Sequence, residues 1–209
     1  MKKMVMVLIL GGFFTVMIAA APALAAGPNG ISISGAFEPC LGGDAGSGQG
    51  APEYDDAFNT GWGVRIEPYH DFNQLLRGLV GFTYQTWSGD TYEGIKFDDL
   101  NLWSLYVGVK CRFMPDSKIR PYALADLGYA HLSAVDISAG GFSTTYWNDT
   151  STYLFDFGGG VEFMISQNLS MYVDVRGQIF GEPDSEVSPS SDADAGFSVP
   201  ISIGFNFSF

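Results

Sequence analysis

Positive charge is scarce in this chain. Ten Lys and Arg stand against 23 Asp and Glu, a formal net charge of −13. That excludes nucleic acid as a partner, because phosphate backbones select a basic surface. Charge of either sign is sparse, at 16 % of residues against 46 % hydrophobic. Soluble domains carry roughly 25 %. Cysteine is limited to Cys40 and Cys111, too few for a disulfide framework. Histidine is limited to His70 and His131, and the Cys/His spacing fits no zinc site. There is no G-x-S-x-G and no phosphate loop, so the sequence implies no cofactor.

Long hydrophobic runs are also missing, with one exception. Met4 to Ala21 is uncharged, preceded by Lys2 and Lys3 and followed by Pro22 and Ala23-Leu24-Ala25. This is the charged, apolar and small-residue order of a secretory signal peptide. Cleavage is expected after Ala25, which divides the chain into a signal peptide, 1–25, and one domain, 26–209. The alternative is a retained transmembrane helix, because the run just reaches spanning length.

Alternation with period two fills the rest. Val199, Ile201, Ile203, Phe205, Phe207 and Phe209 are apolar, with Pro200, Ser202, Gly204, Asn206 and Ser208 between them. A strand sends these two sets to opposite faces. The pattern predicts eight strands, at Gly30–Glu38, Gly61–Tyr69, Leu76–Trp87, Asn101–Phe113, Arg120–Val135, Thr152–Met164, Leu169–Gly181 and Val199–Phe209. Most have the ~9–11 residues that a tilted strand needs to cross a bilayer. Their connections alternate long and short. That is the rhythm of an outer-membrane barrel with long outer loops, short periplasmic turns and both termini in the periplasm. Cys40 and Cys111 would then lie at opposite ends, too far apart to bond. Trp62, Trp87 and Trp103 are expected to form an outer aromatic girdle, with Tyr69, Phe113, Phe163 and Phe209 at the periplasmic end.

The charged face decides which way the barrel faces. Glu38, Arg65, Glu67, Arg77, Lys110, Arg112, Asp126, Asp156, Glu162, Asp174 and Arg176 sit well inside the strands, on the face opposite the aliphatics. In a membrane barrel this face points inward. Its near balance of sign suits a closed core, since unpaired buried charge is costly. A soluble lipocalin-like barrel would reverse the faces. Register across the short turns predicts two inner salt bridges, Glu67 with Arg77 and Asp156 with Arg176.

Three stretches carry a family likeness: "VPISIGFNFSF" ending at Phe209, "RPYALADLGYAHL" from Arg120, and "FDFGGGVEFMISQNLSMYVDVRG" from Phe155 to Gly177. The chain resembles the small eight-stranded outer-membrane β-barrels, the OmpA-type and opacity-protein group. The resemblance implies an all-β, antiparallel up-and-down barrel in a Gram-negative outer membrane. It also implies that Phe209 serves as the signal read by the outer-membrane assembly machinery. With Phe209 expected to close the barrel, anchoring to the cell wall through a peptidoglycan-binding domain is not an expectation of this resemblance.

Three functions stay open. The first is a non-enzymatic structural or surface-interaction role through long, acidic, solvated loops at the cell surface. These loops hold Asp44, Glu53, Asp55, Asp56, Asp90, Glu93, Asp98, Asp99, Asp136, Asp149, Glu182, Asp184, Glu186, Asp192 and Asp194, with Lys96 as their base. They would contact lipid, lipopolysaccharide or divalent cations, which prefer oxygen ligands; Asp192 and Asp194 are the candidate cation ligands. The second is a narrow channel for small solutes, with Gly81, Gly108, Gly128, Gly158 and Gly160 leaving room on the inner face and Tyr106, Tyr172 and Phe180 opposing it. The third is a lipid A-modifying hydrolase, because His131 and Ser133 are similar to the His-x-Ser of eight-stranded lipid A deacylases. Ala134 departs from that pattern, and only Asp136, in a loop, is near enough to orient the histidine.

Overall fold

The computed structural model describes residues 29–39, 41–45, 52–182 and 195–209. The expected signal peptide, Cys40, Asp184, Glu186, Asp192 and Asp194 lie outside the described residues.

The elements run in chain order. First come β1 (Asn29–Glu38), β2 (Leu41–Gly42), a single helical turn α1 (Tyr54–Ala57), β3 (Phe58–Asp71) and β4 (Leu76–Gly89). Next are β5 (Thr91–Tyr92), β6 (Ile95–Phe97), β7 (Leu100–Arg112) and β8 (Ile119–Leu132). Then follow β9 (Val135–Ala139), β10 (Phe142–Trp147), β11 (Thr150–Met164), β12 (Leu169–Phe180), β13 (Gly196–Ser198) and β14 (Ile201–Ser208). Eight of them close a barrel in the order β1, β3, β4, β7, β8, β11, β12, β14 and back to β1, every pair antiparallel. The seam joins Ile31 to Phe207 and Ile33 to Phe205. Closure leaves the barrel strands no unpaired edge. The tight connections 72–75, 113–118 and 165–168 gather at one end, and the long ones at the other.

Alternation produces the expected faces. Ile33, Val64, Phe82, Val107, Leu127, Val175 and Ile203 are exposed on the outside. All eleven strand charges named above are buried inside. A soluble barrel with an apolar interior is thereby overturned for the strand-enclosed core. Inner glycines make room for their neighbours rather than for water. A Cβ at Gly81 would overlap the Tyr106 ring, and one at Gly108 would overlap the Asp126 carboxylate.

Over their described residues the long connections are built into regular elements. The hairpins β5–β6 and β9–β10 join through β6 and β9 into a separate four-stranded sheet, with Phe97 opposite Ile137. Each hairpin turns on left-handed residues, Glu93–Gly94 in one and Gly140–Gly141 in the other. That geometry matches the twist of tight hairpins. Beneath this sheet, Trp147 packs against Tyr54 at 5.4 Å and Phe58 at 5.7 Å between ring centroids. Phe97, Phe180 and the inward residues Trp87, Leu100, Leu102, Leu132 and Leu154 complete one buried cluster. Each such side chain contributes about 1.5–3 kcal/mol on burial. The expected solvated loops are, over their described residues, a folded cap seated on an apolar plug. Tyr146, at the edge of the plug, is half-buried, which pushes its phenol pKa up.

Candidate functional site

Below the apolar plug the barrel holds a lattice of charge. Arg176 of β12 is its centre. Its guanidinium reaches Asp126 at 2.7 Å, Glu67 at 3.0 Å and Asp174 at 3.2 Å. Tyr106 donates to Glu67 at 2.9 Å and Tyr122 to Asp174 at 3.1 Å. Arg65 donates to Thr83 and to Ser202, and lies 3.9 Å from Glu67. The Lys110 ammonium sits over the rings of Tyr122 and Tyr172, at 4.3 and 4.9 Å. Toward the plug, Gln85 donates to both Glu38 and Gln178. Toward the short-turn end, Asp71 takes Arg77 at 2.6 Å and Arg112 at 3.0 Å, and Arg112 also reaches Glu162 at 3.3 Å.

Of the four residues expected to pair, Glu67, Arg77 and Arg176 are in this lattice with different partners, while the Asp156 carboxylate is buried with no hydrogen-bond partner among the described residues. Arg77 bridges Asp71, not Glu67. β3 runs two residues further than its predicted end at Tyr69, and the turn is correspondingly tighter, so Asp71 stands directly opposite Arg77. Glu67 lies two inward positions deeper and binds Arg176 across the lumen. Asp156 is diagonal to Arg176, since Gly158 faces Arg176 and Gln178 faces Asp156. The carboxylates that Arg176 bridges are the three named above. Cross-strand register alone could not find Glu67 or Asp126 as its partners, because neither β3 nor β8 neighbours β12.

His131 and Ser133 are not brought together. His131 lies on the outer surface, where Nδ1 is 3.0 Å from Ser151 Oγ and the ring packs against Trp103, tilted by 39°, at 5.2 Å between centroids. The Ser133 hydroxyl accepts the Asn101 backbone N–H at 3.0 Å. Asp136 accepts the Thr145 hydroxyl at 2.7 Å. Histidine, serine and acid thus have three different partners, and no nucleophile–base–acid relay forms among them.

The cap is acidic on its outside. All eleven of the candidate loop acids that fall within the described residues are exposed, and Lys96 is exposed among them. No group of three or more metal-ligating side chains forms among the described residues.

Residues 11–209 match the model of the outer membrane protein beta-barrel domain. The chain belongs to that family. It is an outer-membrane β-barrel protein. No curated protein matches it significantly. Among solved structures, Neisserial surface protein A is similar, with a TM-score of 0.58 and 17% identity, over 88% of this chain and 98% of that one. The outer membrane protein OprG from Pseudomonas aeruginosa gives 0.56 and 14% identity, over 88% and 96%. A major outer membrane protein from Thermus thermophilus gives 0.53 and 9% identity, over 87% and 99%. At these identities the likeness is one of fold.

An outer-membrane barrel needs interfacial aromatics, and of those expected only Trp87 and Tyr69 lie elsewhere. Trp62 and Trp103 face outward, joined by Tyr84, Tyr129 and Tyr153 at the same level. Trp87 is fully buried in the plug, and Tyr69 is buried under the Arg77 guanidinium, 3.3 Å from its ring centre. Both were legible, because Trp87 shares the strand parity of Arg77 and Tyr69 that of Glu67. Phe113, Phe163 and Phe209 are exposed at the short-turn end as expected. Cys111 is a free, exposed thiol on the outer face of β7.

Proposed function

We propose that this outer-membrane barrel is a closed, non-enzymatic scaffold that carries an acidic platform for surface interaction. The long connections would face the cell exterior and the termini the periplasm. The observation that carries the reading is the cap itself, a four-stranded sheet seated on a buried apolar plug with only one base among its exposed acids. An ordered surface presents its charges in fixed positions, so binding does not first require ordering a loop. The partner that such a face selects is cationic: a basic protein surface, or divalent ions shared with lipopolysaccharide phosphates.

Conduction is the weaker reading. Arg65, Arg176, Tyr106, Tyr172 and Lys110 are among the largest fully buried side chains, and all point into the lumen below the plug. A hydrolase is weaker still, given the separate partners of His131, Ser133 and Asp136.

The test uses folded protein in sugar-detergent micelles and a fluorescent oligo-arginine peptide. Wild type should bind saturably and lose affinity steeply with salt. A variant with Glu53, Asp55, Asp56, Asp90 and Glu93 changed to their amides should fold and bind at least about tenfold more weakly. Equal binding by both proteins would overturn the reading.

A further inference from the structure

The short-turn end of the lumen opens into a vestibule of two adjoining cavities, of about 520 and 530 Å³. Asp71, Asp116 and Arg120 line both. The floor is neutralised by the bridges of Asp71 with Arg77 and Arg112 and of Arg112 with Glu162. Two further bases, Lys118 and Arg120, line the cavity of about 520 Å³ beside Ser117 and Ser166. Neither forms an ion pair among the described residues. Arg120 is an inward-facing residue of β8 opposite Glu162, yet the carboxylate is taken by Arg112. Its Nε donates to the Ser117 carbonyl at 3.0 Å. That bond holds the guanidinium, and its two terminal amino groups make no hydrogen bond among the described residues. Deeper in, Arg77 Nη1 is buried and has no hydrogen-bond partner among the described residues.

This is an unusual place for spare positive charge. The chain has 23 acids for 10 bases, and random placement would leave acids unpaired rather than bases. Here two adjacent cations, and a third guanidinium with one open donor, converge on one opening. A fixed Arg fork beside a flexible Lys is suited to a tetrahedral oxyanion, which accepts several charge-assisted hydrogen bonds at once. Asp116, exposed on the rim, opposes any anion that enters.

We propose that the short-turn mouth is a binding site for a phosphate group, held by Arg120 and Lys118 with Arg77 Nη1 behind them. The group could reach it as a free phosphate or as a phospholipid headgroup, since Phe72, Phe113, Met114 and Ile119 present an apolar rim at the same end.

The test is NMR of the folded protein in phosphate-free maltoside micelles, following the Arg120 side chain and the Ser117 and Ile119 amides. One arm adds inorganic phosphate; the other adds short-chain phosphatidylglycerol. A saturable shift with phosphate supports the site, and a saturable shift with the lipid alone supports it with the headgroup as source. Arg120→Gln and Lys118→Gln should each weaken binding about tenfold, the scale of one charge-assisted hydrogen bond. Asp116→Asn should tighten it, and Lys96→Gln, in the cap, should leave it unchanged. Lys118 is exposed, so its variant reads the site even if Arg120→Gln fails to fold. No saturable shift with either titrant, or shifts that persist undiminished in both variants, would overturn the proposal.

Discussion

Arg176 Nη1 lies 2.7 Å from Asp126 Oδ2, although β11 separates their strands in the barrel wall. The contact passes over β11, where Gly158 stands opposite Arg176, and through Glu67 the same guanidinium also reaches β3. One side chain therefore joins three strands that backbone pairing does not bring together.

Arg176→Ala would leave Glu67, Asp126 and Asp174 without their common partner. Breaking such a buried cluster costs about 3–5 kcal/mol. Urea unfolding in lipid vesicles should show that loss. An Ala variant as stable as wild type would mean that the lattice contributes nothing measurable.

The bridge at the short-turn end has a specific partner. In double-mutant cycles, Asp71→Asn with Arg77→Gln should show a coupling of about 0.5–3 kcal/mol. Glu67→Gln with Arg77→Gln should be closer to additive. Reversed couplings would place β3 and β4 in the register predicted from sequence.

The apolar plug should behave as a core of its own. Trp147→Ala removes a fully buried indole, and such truncations cost about 3–5 kcal/mol. Limited proteolysis should then cut within 133–149 while the barrel strands stay protected. Unchanged protease resistance would show that the cap stands without its central tryptophan.

Much of this fold is legible in the sequence because a strand obeys one rule. Period two placed all eight barrel strands and separated the eleven inner charges from the aliphatics. What it did not place was strand length. β3 continues to Asp71, two residues past its predicted end at Tyr69, and that shift alone changed the partner of Arg77. The cap was missed because its strands are short and its apolar residues spread across two connections. Lys96 and Phe97 need Ser138 and Ile137 from a distant hairpin before the two hairpins form one sheet. The signals were present in the Glu93–Gly94 and Gly140–Gly141 turns. They were also present in the inward parity of Leu100, Leu102 and Leu154, which makes the outer end of the lumen apolar rather than charged. The partners of Arg176 depend on curvature around the whole barrel, which no pairwise register carries.

Single-channel recording tests the closed-scaffold account most directly. Purified protein, its folding checked by altered gel migration before boiling, would be inserted into a planar bilayer. Silence across a range of voltages is the expected result, because the lattice around Arg176 and the plug around Trp147 both occupy the lumen. Discrete, reproducible conductance steps would contradict it, and transport would then replace surface interaction as the leading function.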